Sequence, residues 1–224
     1  MVKTIVGTFD DYEAAHGAAE ELKAKGFMAT DVSILARYVA GANRGGDGTA
    51  LAEVSSNAAT GAVTGGVLGG AAGLAVSLMG LAIPGIGPII ATGPLVAALA
   101  GAGAGAVAGG LIGALTEVGV SAEHAQYYAE SLRRGGAVVT VRADESRSDK
   151  ARAIMGESGA FDIDERVQRW REFGWTRFDP AAKPYTPEEA ERERRLFGTP
   201  PHPLSGRPST PEEGDNQTGR TIRH

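Results

Sequence analysis

Between Glu53 and Glu117 the chain carries no charged side chain, and this uncharged run, Val54 to Thr116, most constrains what the protein can fold into. Sixteen of the 33 glycines lie between Gly61 and Gly113. Gly61, Gly65, Gly69 and Gly73 form a row at every fourth position, with Ser77 as a small successor. Gly101, Gly105, Gly109 and Gly113 form a second row, which Ala97 extends backwards. Pro84-Gly85-Ile86-Gly87-Pro88 stands between the two. The spacing predicts two glycine-zipper helices joined by a turn at Pro84, Gly85, Gly87 and Pro88. An interior glycine costs a helix about 0.8–1 kcal/mol relative to alanine, so a row of four needs an offsetting gain of about 3–4 kcal/mol. Close backbone approach, as in small-xxx-small packing, supplies one. The eight glycines of the rows are therefore the expected helix-packing and self-association residues.

At 1.5 Å per residue, Gly61 to Leu81 reaches roughly 30 Å and Pro94 to Glu117 at least about as far, long enough for a bilayer. Gly and Ala dilute the apolarity, however, the turn is itself uncharged, and no excess of Lys or Arg on the flanks sets an orientation. Two environments stay open. One is a hairpin embedded in or docked on a membrane; the other is a soluble hairpin packed against the rest of the domain or a second copy.

The flanks decide the fold class. Val2 to Phe9 reads as a strand rich in β-branched residues. Asp10-Asp11 offers cap oxygens, with Glu13 placed as in a capping box, for a helix to about Lys25. Gly26 is the expected residue just past its end, and Asp31 to Tyr38 reads as a second strand. After the uncharged run, Ser121 caps a helix with Glu123 in its first turn. Arg133-Arg134 and then Gly135-Gly136 end it, and Ala137 to Arg142 is the clearest strand of the chain. A helix from about Arg147 to Ser158 follows, and Phe161-Asp162-Ile163 offers a short final edge strand. The expectation is an α+β, ferredoxin-like sheet domain built from two β-α-β halves, residues 1–38 and 119–165. The glycine-zipper hairpin, 54–117, is inserted between them.

From Phe173 the character changes, with eight of 11 prolines between Pro180 and Pro211. Residues 174–224 read as a mostly disordered tail pinned at its start by Trp170, Phe173, Trp175 and Phe178. One short helix is expected there, with Thr186 as N-cap, Pro187 at the first position and Glu189 closing a capping box.

Charge and composition exclude several function classes. The net charge is −5 and there is no cysteine. Thiol catalysis, thiolate metal sites and disulfides are excluded, and no basic stripe serves nucleic acid. Met1-Val2-Lys3-Thr4 leads straight into a strand, so the expected location is cytoplasmic. If the hairpin inserts, both termini lie on the cytoplasmic side of the inner membrane. Gly103 to Ala108 fits G-x-G-x-x-A, but a helical alanine-rich run precedes it where a dinucleotide site needs a strand. His16, His124, His202 and His224 are scattered with no i,i+4 partner. The paired carboxylates Asp10-Asp11 and Asp144-Glu145 stand at helix starts, where capping explains them. Neither a catalytic residue nor a metal or cofactor is expected.

Several blocks look familiar. Val6-Gly7-Thr8-Phe9-Asp10, Asp31 to Arg37, Leu81 to Pro88, Gly101 to Gly113 and Tyr127 to Val139 together resemble the general stress protein 17M-like (heat-induced stress protein, YflT-type) domain. The likeness covers roughly residues 2 to 165. It implies a bacterial stress-associated protein without a catalytic set. The expected function is non-enzymatic: membrane association or self-association through the hairpin, with the protein itself as partner and a lipid bilayer as the alternative one. The competing reading is a soluble ligand-sensing or protein-interaction module that uses the hairpin as a dimerisation arm.

Overall fold

The first three elements form where the sequence places them: β1 (Val2–Phe9), α1 (Tyr12–Ala24) and β2 (Val32–Arg37). The computed structural model describes residues 2–38, 77–101 and 109–198. Asp11 caps α1, its carboxylate accepting from the Ala14 amide at 2.9 Å, which leaves Asp10 for a distant arginine. Gly26 (φ 91°) lets the Phe27 amide turn back onto the Leu22 carbonyl at 3.0 Å, the left-handed stop that favours glycine.

The middle of the chain departs from the expected helical hairpin. Ser77–Ile83 is a strand, β3, and Gly87–Thr92 is another, β4, paired antiparallel through a turn at Pro84, Gly85 and Ile86. The first zipper helix therefore does not run through Leu81, and the expected helix-joining turn joins strands, with Gly87 and Pro88 inside β4. The reason lies in the residue types. Pro84 and Pro88 interrupt helical hydrogen bonding on both sides, and Ile83, Ile89 and Ile90 favour a pleated surface. The edge of β2 also offers unpaired backbone groups, which β4 satisfies from Ile89 to Thr92. Gly85 and Gly87 hold positive φ, 79° and 90°.

The second row is helical where it is described, as α2 (Leu95–Gly101) and α3 (Gly109–Glu117). Among the described residues, a Cβ on Gly113 would meet nothing within 4 Å. Gly61, Gly65, Gly69, Gly73 and Gly105, and the G-x-G-x-x-A stretch 103–108, lie outside the described residues. Among the described residues no helix is long and apolar enough to cross a membrane.

The remaining elements are α4 (Ala122–Arg133), β5 (Ala137–Asp144), α5 (Glu145–Glu157), α6 (Ile163–Glu172) and α7 (Pro187–Phe197). β5 inserts antiparallel between β1 and β2, so those two run parallel on either side of it, and the sheet order is β1-β5-β2-β4-β3. The fold is α+β, with a five-stranded antiparallel sheet and helices on both faces. Alternation along the strands sorts two cores. Val32, Ile34, Ala36, Val139 and Val141 face α1 and α5. Leu35, Val138, Ile89 and Ala91 face α2, α3, α4 and α6. Phe161 adds a single bridge to β1, its amide donating to the Thr8 carbonyl at 2.9 Å. The expected edge strand stops there because Asp162 caps α6, accepting from the Asp164 and Glu165 amides at 2.8 and 3.3 Å.

The stretch read as tail is folded onto the domain through residue 198. Phe178 is buried with Ile83 and Ile86, and Pro180 lies over the β3–β4 turn, where a Cβ on Gly85 would sit 2.9 Å from its Cα. α7 has the expected cap: the Glu189 amide donates to Thr186 Oγ1 at 3.2 Å, and the Thr186 amide donates to Glu189 Oε2 at 2.7 Å. Residues 199–224, for which disorder is expected, lie outside the described residues.

Candidate functional site: a charged clasp at the end of α4

The last turn of α4 brings together groups that the sequence separates by more than a hundred residues. Glu130 is 1% exposed. It accepts from Arg133 Nε at 2.9 Å, one turn on, and from Arg134 Nε at 2.6 Å. The i,i+3 and i,i+4 spacing makes this triangle local. What surrounds it is not. The carbonyl of Arg133 accepts from the Tyr185 amide at 3.0 Å and from Arg37 Nη1 of β2 at 3.2 Å. Arg133 Nη1 donates to the Lys183 carbonyl at 3.2 Å.

α7 supplies the other half. Glu193, also buried, accepts from Arg134 Nη1 at 3.1 and 3.2 Å and from Trp170 Nε1 at 2.6 Å. The Arg134 guanidinium lies 4.5 Å from the Trp170 ring centre and 5.3 Å from that of Tyr185, and Arg133 lies 4.8 Å from Tyr185. Cation–π contacts of this kind strengthen when desolvated. Gly135 (φ 98°) gives the close approach, since a Cβ there would stand 2.7 Å from the Cβ of Ala190.

Electrostatics follow from this packing. Two guanidiniums, Arg133 and Arg134, meet two carboxylates, Glu130 and Glu193, and Arg37 joins them through the Arg133 carbonyl. Burial lowers the Arg37 pKa, the nearby Arg194 lowers it further, and Glu189 partly opposes them. Burial would lower Arg133 too, but its hydrogen bonds to Glu130 reverse the direction and raise it. Beside the clasp, Arg166 donates to Asp10 at 2.9 Å and stacks 3.8 Å from the Phe161 ring. The crevice between the two pairs holds about 10 Å³ of water-accessible space, roughly one water molecule.

No protein family's sequence profile matches this chain, and neither a curated protein nor a solved structure matches it. The site is therefore read from its own chemistry. Arg134, held by the buried Glu130 and lying over the Trp170 indole, bonds a second carboxylate, Glu193, in a fixed geometry. Sequence reasoning took Arg133-Arg134 for a helix terminus, which they are, and missed this role. Glu130 at i,i+3 and i,i+4, between the buried Ala129 and Leu132, was the available signal. Of the expected site residues, the structure places Pro84 and Gly85 in the β3–β4 turn, Gly87 and Pro88 in β4, Gly101 on α2 and Gly109 and Gly113 on α3, and it does not bring them into a shared site with the clasp. Among the described residues no group of three His, Asp or Glu side chains stands in metal-holding array.

Proposed function

We propose that this protein is a non-enzymatic self-association module of the bacterial general-stress kind its sequence blocks resemble, built on a ferredoxin-like core. The core reading rests on the two halves β1-α1-β2 and β5-α5-Phe161, which interleave with α1 and α5 on one face. The observation that carries self-association is β3. Its sequence, Ser-Leu-Met-Gly-Leu-Ala-Ile, has no charge, and among the described residues it pairs with a strand on one side only. Natural edge strands are usually guarded by Lys, Pro or a covering element, and an unguarded edge templates pairing with another chain. A second copy supplies a matching uncharged edge.

Light scattering on the untagged full-length chain without detergent tests this. A discrete oligomer is expected, reduced to monomer by Leu78→Lys or Met79→Lys. A wild-type monomer at every concentration sinks the reading. The lack of charge from Val54 to Thr116 favours membrane attachment as the second reading. Recovery of the protein in the membrane fraction, released only by detergent, would select it.

A further inference from the structure

α7 is attached mainly by charge. Its buried residues are Ala190 and Glu193, and Leu196 near its end is 64% exposed. An element with so little apolar burial opens at a lower free energy than the fold as a whole. The domain's half of the clasp does not need α7 to keep its shape. Glu130 holds both arginines, α6 carries Trp170, and Gly135 leaves the gap. With α7 away, Arg133 and Arg134 keep the single carboxylate of Glu130 between them, so the exposed cradle is positive, aromatic and preorganised. Its present occupant reads like a ligand: Tyr185 under the guanidiniums, Ala190 on Gly135 and Glu193 on Arg134 and Trp170.

We propose that this cradle is an interaction site for a helical segment of a partner protein that presents a glutamate to Arg134 and Trp170, and that α7 is an autoinhibitory plug occupying it in cis. The partner segment needs an aromatic residue, a small residue five positions later and a glutamate three positions after that, as at 185, 190 and 193. The site is separate from β3, so it stands whether or not the edge pairs.

The test uses the full-length chain and a fluorescein-labelled peptide of residues 183–198, followed by polarisation. A tethered arm acts at about millimolar effective concentration, so wild type captures the peptide weakly. Glu193→Gln in the chain weakens the plug but leaves the cradle intact, and capture of the unmodified peptide tightens by about tenfold or more. Ala190→Leu, whose larger side chain has no room above Gly135, gives the same gain from a change confined to the arm. Adding Arg134→Gln to either variant removes the gain, as does a peptide carrying Glu193→Gln. Amide protection of β5 verifies that each variant is folded. No gain in either arm variant overturns the proposal, and so does a gain that survives Arg134→Gln.

Discussion

The two faces of the sheet are closed by different physics. Against α1 and α5, the contacts are Ala15, Ala18, Ala19, Leu22, Val139, Ile154 and similar apolar groups. Against α4 and α6, apolar packing surrounds charge: the buried Arg37, Glu130, Arg166 and Glu193 all lie on that side. The first face needs only that each element present an apolar stripe. The second needs particular partners, and losing one strands a charge in a poorly solvated place. Its errors are therefore costlier and less forgiving of approximate fit.

Glu130→Gln should expose that difference most. Two guanidiniums would lose the carboxylate that neutralises them, and breaking a buried pair costs about 3–5 kcal/mol. Urea unfolding should show the loss as a lowered midpoint, with Arg134→Leu in the Glu130→Gln background costing less than Arg134→Leu alone. On the apolar face, Leu22→Ala, at a side chain that is 0% exposed, should cost about 2–5 kcal/mol through lost burial and a cavity. Its penalty should not depend on which residue occupies position 130 or 134. Strong coupling between Leu22 and Glu130 would mean that the faces are not independent.

A pH contrast sharpens the same point. Burial pushes the Tyr128 hydroxyl of α4 up to about 12, with Asp164 and Asp162 adding to it. The folded state thus binds this proton more tightly than the unfolded chain, where tyrosine titrates near pH 10. Its stabilising contribution is full below about pH 10 and is lost as pH rises through about 12. Unfolding midpoints at pH 9 and pH 11 should drop more for wild type than for Tyr128→Phe. An equal drop would place the alkaline sensitivity elsewhere, with Tyr12 on the opposite face as the next group, since burial and then Glu20 raise it too.

The sequence made the apolar face readable because its information is local. The spacing of Ala15, Ala18, Ala19 and Leu22 and the stops at Gly26 and Gly159 needed no knowledge of the rest of the chain. Residues 77–92 depart from the expected hairpin because every-fourth-residue glycine suits helix packing, whereas the Pro84 and Pro88 boundaries and the open edge of β2 outweigh helical spacing there. Half of the clasp was legible: Glu130, Arg133 and Arg134 are one turn of helix apart, and the Thr186 capping box announced α7. Its docking was not, because Glu193 finds Arg134 across 59 residues, and no periodicity within α7 says what it covers.

The smallest expected effects measure whether the faces differ in anything local. Asp11→Ala removes the cap of α1 on the apolar face, and Ser121→Ala removes that of α4 on the charged face, where Ser121 Oγ accepts from the His124 amide at 3.2 Å. A lost cap costs about 1 kcal/mol in either place, so thermal unfolding should shift alike for the two variants. Ser121 has one further tie. Its Oγ also lies 2.8 Å from His124 Nδ1, and His124 Nε2 lies 3.3 Å from Asp164 of α6. These groups are exposed, and an exposed pair contributes little, so the tie should add only a few tenths of a kcal/mol. If Ser121→Ala instead costs twice as much as Asp11→Ala, the long-range network extends to the start of α4. The charged face would then be one connected unit from Ser121 to Arg134, not an apolar core with a clasp at one end.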